Sequence, residues 1–137
     1  MSNVDTTLAF VAAYNAADVE RMNSLMTEDG RVLIPALGVD KLRWQASGPA
    51  SEMAADRTIE VRRIFTGDDV VAFEFLWHAT SRGGPGIAPA GERLTMENCI
   101  VLDFRDGLIS RYCEYVGRHT GQDLLAVAKR LTGATSA

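Results

Sequence analysis

Cysteine and histidine are scarce in this chain, with two of each. Cys99 and Cys113 have neither metal-ligand spacing nor a disulfide framework around them. His78 and His119 lack the third ligand that a zinc site needs. No apolar run approaches the roughly 18 residues of a membrane-spanning helix. The opening Met1-Ser2-Asn3-Val4-Asp5 has no basic stretch leading into an apolar block, so no signal peptide is expected. Basic residues are scattered, and a net charge of −4 argues against a nucleic-acid surface. There is no internal repeat and no low-complexity linker. These absences lead us to expect a reduced, cytoplasmic protein with no metal, no organic cofactor, and no nucleic-acid or membrane partner.

What is present suffices for a core. A hydrophobic content of 47% over 137 residues supports a single domain spanning 1–137 without disulfide or metal staples. Arginine outnumbers lysine and alanine is abundant, which points to a GC-rich bacterial genome.

Apolar residues at Leu8, Val11 and Ala12, flanked by Phe10, Ala13 and Tyr14, have helical spacing and predict a helix over 4–17, capped by Asp5 or Thr6. Asp18 should cap a second short helix carrying Met22, Leu25 and Met26. Glu28-Asp29-Gly30 reads as a turn, 31–34 as a short strand ended by Pro35, and 35–48 as irregular. Pro49 suits the first turn of a short helix over 49–55. Strands follow over 58–65, 70–80, 93–104 and 108–116, the last two joined by the hairpin signal Arg105-Asp106-Gly107. An amphipathic helix over 121–131 closes the order. Helices first and a meander of long strands after them predict α+β, with the helices on one face of the sheet.

Three segments carry a resemblance: Phe10-Val-Ala-Ala-Tyr-Asn-Ala-Ala-Asp18, Met26-Thr-Glu-Asp-Gly-Arg-Val-Leu-Ile-Pro35 and Asp106-Gly-Leu-Ile-Ser-Arg-Tyr-Cys-Glu-Tyr115. Together they resemble the nuclear transport factor 2-like superfamily, which includes SnoaL-like polyketide cyclases, ketosteroid isomerases and limonene epoxide hydrolases. The resemblance implies a cone-shaped, curved antiparallel sheet whose concave face is covered by N-terminal helices, a cystatin-like α+β barrel. That fold hosts many unrelated activities, so function must be argued from the site.

Strand side chains alternate between the two faces of a sheet. The resemblance implies that Phe73, Phe75, Trp77 and Ala79 face the pocket, as do Met96, Asn98, Ile100, Leu102 and Phe104, and Tyr112, Glu114 and Val116. These rows are more apolar than the outward rows Glu74/Leu76/His78 and Thr95/Glu97/Cys99. By this parity His78 lies on the convex face. His119 reads as a surface residue. The resemblance further implies a homodimer through the convex face, which mixes Leu76, Val101, Cys99, Cys113 and Tyr115 with charged residues. Cys99 and Cys113 share the outward parity, but a disulfide is not expected in the cytoplasm.

Ketosteroid isomerases use a carboxylate base and an oxyanion hole built from a tyrosine and a second acid. The matching positions are Ile34, Phe10 and Ile100, so that chemistry is not carried over and the three become apolar pocket residues. The paired Arg and Asp of limonene epoxide hydrolases fall on Phe75 and Trp77, and only their last-strand acid has a counterpart, Glu114. The SnoaL-like cyclase aspartate falls on Gly117.

Glu114 is therefore the carboxylate of interest. Desolvation among aromatic and aliphatic neighbours would raise its pKa toward the range useful for acid/base work. The alternative is an ion pair with Arg57, Arg62 or Arg63 and a structural role. Asn98 could hydrogen-bond a substrate carbonyl or enolate, or could satisfy Glu114 or a backbone group. Tyr14, one helical turn after Phe10, and Tyr112 could each donate to a ligand or serve as core. Phe75, Trp77, Met96 and Phe104 would form walls, and Trp44 is a candidate lid. The glycine-rich stretch over 83–91 lacks the Gly-Lys-Ser/Thr ending of a phosphate loop and reads as a flexible connection. The leading expectation is a SnoaL-like enzyme using Glu114 for cyclisation or isomerisation of a hydrophobic, carbonyl-bearing small molecule such as a polyketide. Alternatives are a non-catalytic small-molecule-binding protein and an epoxide hydrolase with a rearranged catalytic set.

Overall fold

In the computed structural model of the chain, which describes residues 1–133, Ser2 opens α1 (Asn3–Asn15). The sequence points to Asp5 or Thr6 as its cap. Instead Asp5 N–H donates to Ser2 Oγ at 3.1 Å, and Ser2 N–H donates back to the Asp5 carboxylate at 3.1 Å. This capping box satisfies two of the orphan donors at the helix start. Asp18 caps α2 (Val19–Ser24) as expected, accepting from Arg21 N–H at 3.0 Å. Met26 lies beyond that helix, at the start of β1 (Met26–Ile34).

The turn signal Glu28-Asp29-Gly30 is absorbed into β1 as an irregularity, because the register against the last strand shifts between Met26 and Arg31. A Cβ on Gly30 would stand 2.9 Å from Met26 Cε and 3.0 Å from the Thr27 carbonyl oxygen, so glycine permits the close approach. The segment expected to be irregular contains a 3-10 turn at Pro35–Leu37, then β2 (Val39–Leu42), which pairs antiparallel with β1. Four residues are too few to show a period.

α3 (Pro49–Met53) runs straight into β3 (Ala54–Gly67), which begins earlier than its apolar pattern suggests. Its register against the next strand shifts between Ala55 and Thr58 and again between Val61 and Arg63, breaking the alternation. β4 (Val70–Ser81), β5 (Arg93–Arg105) and β6 (Leu108–Thr120) follow as a regular meander, and α4 (Leu124–Thr132) is capped by Asp123.

The sheet has six strands in the order β2-β1-β6-β5-β4-β3. Every pairing is antiparallel except β1 with β6, which is parallel. The sheet is curved and unclosed, with β2 and β3 as its edges, rather than a complete barrel. Burial alternates along β4 and β5, placing Val71, Phe73, Phe75, Trp77 and Ala79, with Leu94, Met96, Asn98, Ile100, Leu102 and Phe104, on the inner face. Phe10 of α1 is fully buried, its ring 5.8 Å from that of Tyr112.

The glycine-rich loop is a seat for α4. Arg130 donates to the Pro85 carbonyl at 2.9 Å, Asp123 N–H to Gly86 O at 2.7 Å, and Ala88 N–H to Gly121 O at 2.8 Å. Gly86 has φ 87°, and a Cβ there would come within 2.7 Å of Ala126 Cβ. The outer face carries surface ion pairs such as Arg63–Glu74 and Arg118–Glu97 at 2.8 Å, and His78 Nε2 lies 3.5 Å from the Glu60 carboxylate. Exposed pairs of this kind contribute little to stability. Cys99 and Cys113 are free, lying opposite Tyr115 and Val101 respectively rather than each other.

One side chain ties α1 to the sheet. Asn15 accepts from Ile59 N–H at 2.7 Å and donates to Ile59 O at 3.1 Å. Asn15→Ala should therefore lower stability by about 1–3 kcal/mol, read by urea unfolding, without altering helix content by circular dichroism. An unchanged midpoint would show that the clamp is incidental.

Candidate functional site

α1 covers only part of the concave face, and where it stops a cavity of about 610 Å³ opens. Tyr14 reaches its wall from the last turn of α1, Trp77 from β4, Leu94 and Met96 from β5, and Tyr112 and Glu114 from β6. Val39, Lys41 and Trp44 close it from one side, and Val127 and Leu131 of α4 close it from another. Exposed residues, among them Gln45, Asp56 and Arg82, form the rim.

Glu114 is 7% exposed. Tyr112 lies two residues earlier on the same strand face, and its hydroxyl donates to Glu114 Oε1 at 2.5 Å. Asn98, from the neighbouring strand, donates its amide to Oε2 at 2.6 Å. Burial pushes the Glu114 carboxyl above its ordinary value, although the Tyr112 and Asn98 hydrogen bonds oppose the shift. Among the described residues, no arginine lies within ion-pair distance of Glu114. Arg62 pairs with Glu60 and Arg63 with Glu74 instead. A carboxylate held by neutral donors keeps its proton more readily than one facing a guanidinium.

Both tyrosines stay protonated and so remain donors. Burial, helped by the Glu114 charge, lifts Tyr112 well above 10 and pushes Tyr14 up to about 12. Trp77 Nε1 donates to the Tyr14 hydroxyl at 2.9 Å. No acceptor for the Tyr14 proton is present among the described residues, which leaves it for an occupant of the cavity.

Of the residues expected at the site, Tyr14, Ile34, Trp77, Met96, Tyr112 and Glu114 line the cavity together. Phe10, Phe75, Ile100 and Asn98 do not; all four are buried behind the wall. For Asn98 the reason is its protein partners, which include Met96 Sδ at 3.9 Å. It donates to Glu114 on one side, and its Oδ1 accepts from Gly117 N–H at 3.4 Å on the other. Trp44 sits edge-on to Tyr112, with ring centroids 5.0 Å apart. Asn23 holds its backbone with two 3.0 Å hydrogen bonds, so Trp44 is a packed roof residue rather than a loose lid. Sequence reasoning missed Lys41, which shares the inner face of β2 with Val39. Among the described residues, no group of three or more His, Cys, Asp or Glu side chains is arranged to hold a metal ion. No described helix is long and apolar enough to cross a membrane.

A model of the SnoaL-like domain matches residues 7–112. The chain belongs to the SnoaL-like domain family. Solved structures agree on the fold. IdmH, a proposed polyketide cyclase from Streptomyces antibioticus, is 21% identical over 96% of this chain and 99% of its own, with TM-score 0.73. A proposed SnoaL-like polyketide cyclase from a Jannaschia species is 17% identical over 97% and 93%, with TM-score 0.71. TerC, co-crystallised with polyporic acid, is 19% identical over 95% and 98%, with TM-score 0.68. No curated protein matches the sequence.

Within this family frame, Gly117 takes on a specific meaning. The resemblance places the SnoaL-like cyclase aspartate on this position, and a side chain here would run into the backbone of the neighbouring strand. The β5–β6 register shifts between Met96 and Asn98, and a Cβ on Gly117 would lie 2.4 Å from the Glu97 carbonyl oxygen. The bulge brings the β5 and β6 backbones together at this point. Gly117→Ala should lower stability by about 1–3 kcal/mol through overpacking, visible as a depressed thermal midpoint. A neutral result would mean that the bulge relaxes freely.

Proposed function

We propose that this chain is a SnoaL-like enzyme that binds a hydrophobic, carbonyl-bearing small molecule, a polyketide being the natural class, and uses Glu114 to move a proton from the carbon beside the carbonyl during cyclisation or isomerisation. The observation that carries this reading is a buried carboxylate with a raised pKa in the wall of an apolar cavity. A raised pKa brings a carboxylate nearer the operating pH, where it can both take and return a proton. Tyr14, with its unspent proton, would donate to the carbonyl oxygen as negative charge develops there. Tyr112 and Asn98 would orient the carboxylate and limit its shift. Trp77, Met96 and Ile34 would hold the apolar body and exclude water. TerC having been crystallised with polyporic acid supports small-molecule occupancy of this fold.

One observation favours a binding-only reading. Both Glu114 oxygens already accept hydrogen bonds from the protein, as in a purely structural network.

Deuterium exchange separates the two readings. Wild-type protein should accelerate α-proton exchange of a hydrophobic ketone such as β-tetralone in heavy water, followed by NMR. Glu114→Gln should lose about 10²-fold or more. Equal exchange in both proteins would sink the acid/base role. Because the reacting form is the ionised base, the rate should rise with pH through a midpoint above the ordinary carboxylate value of 4.5, and Glu114→Gln should lack that limb.

A stability measurement gives an independent check. A folded-state pKa above the unfolded one means that the native protein binds the extra proton. The stabilisation is thus full below 4.5 and is lost as pH rises through the raised value. The thermal midpoint of the wild type should therefore fall relative to Glu114→Gln across that window. A gap between the two that does not vary with pH would contradict the raised pKa.

A further inference from the structure

Three cations line the cavity; Arg82 is exposed at its rim, and the two half-buried ones, Lys41 and Arg57, have no carboxylate to match them. Lys41 projects from β2 and Arg57 from β3, the two opposite edges of the open sheet, and both line the same space. Lys41 Nζ stands 5.2 Å from the centroid of the Trp44 ring. The two charges sense each other: the Lys41 ammonium is lowered first by burial and then by Arg57. Among the described residues, neither has an acidic oxygen within ion-pair distance. On the outer face, by contrast, Arg62, Arg63 and Arg118 each have one. Two acids border the cavity. Burial raises the Glu114 carboxyl above its ordinary value, and Asp56 is exposed at the rim, where its backbone adopts a left-handed φ of 52°.

Two like charges brought together and partly desolvated are unfavourable unless an anion joins them. We infer that Lys41 and Arg57 form an anion subsite at the mouth of the cavity, so that the natural ligand is an apolar molecule bearing an acidic oxygen group such as a carboxylate or an ionised enol. This inference rests on the reading of the cavity as a ligand site and adds the ligand's charge to it. Arg57 offers a planar fork suited to two oxygens, and Lys41 offers a compact charge beside it. The anion at the mouth would leave the apolar body inside, against Trp77 and Met96, with its carbonyl toward Tyr14.

A matched pair of fluorescent probes tests this on the full chain. Anilinonaphthalene sulfonate and uncharged N-phenyl-naphthylamine share the same apolar body and differ in the sulfonate. Wild-type protein should bind both, the sulfonate more tightly. Lys41→Met and Arg57→Met should each weaken sulfonate binding roughly five- to tenfold and leave the neutral probe within about twofold. Arg118→Gln, on the outer face, should change neither. If the neutral probe binds but the sulfonate gains nothing, or if both probes weaken equally in the variants, the anion subsite is overturned while the apolar pocket stands. If neither probe binds the wild type, the pocket reading falls as well. Thermal midpoints of the variants near that of the wild type confirm that each reports on a folded protein.

Discussion

Along β4 the side chains of Val71, Phe73, Phe75, Trp77 and Ala79 all point to one side of the sheet, and β5 sets a second apolar row beside them. Covering that concave surface is the constraint on which the other elements depend. Each large side chain taken from water contributes roughly 1.5–3 kcal/mol. α1 supplies the first cover through Phe10 and Val11, and Asn15 pins its end to Ile59. β2, Trp44, α3 and α4 supply the rest. The cavity is the space that these two covers leave between them, with Tyr14 at the point where the first cover stops.

Two polar residues interrupt the apolar rows, and each would be costly alone. A buried amide or carboxyl without a partner is unfavourable by a few kcal/mol. Asn98 and Glu114 answer each other, and Tyr112 completes the set. The chain of contacts runs on through Asn98 to Gly117, so the bulge that bends β6 and the acid in the cavity wall belong to one network. At Gly117 the β6 backbone lies so close to the Glu97 carbonyl oxygen that a Cβ would stand 2.4 Å from it, so only glycine fits there.

The roof follows the same logic of asparagine clamps. Asn23 holds Trp44 through its backbone, and Arg43 donates to the Asn23 carbonyl at 2.6 Å. Trp44 is thereby fixed among Phe10, Tyr14 and Tyr112. The aromatic set makes one wall firm, while the two cations and the rim residues face the opening. The interior is largely apolar, with two tyrosines and one buried acid in its wall.

Much of this was written in local pattern. The family resemblance assigned the inward rows, the period of two along β4 and β5 agreed with it, and Glu114 was left as their lone carboxylate. The hairpin at Arg105-Asp106-Gly107, the helical spacing around Phe10 and the Asp18 cap were equally legible, because each depends on neighbouring residues. The four-residue β2, the irregular passage of β1 through Glu28-Asp29-Gly30 and the parallel pairing of β1 with β6 were not, since bulges erase periodicity and pairing is a long-range choice. The site divides in the same way. Which side chains point inward follows from alternation within a strand. Only tertiary structure decided that Asn98 serves Glu114 rather than a ligand, that Phe10, Phe75 and Ile100 stand behind the wall, and that Lys41 and Arg57 from opposite sheet edges share one mouth. A cavity is the gap between elements that meet only when the chain folds, and no stretch of consecutive residues records its shape.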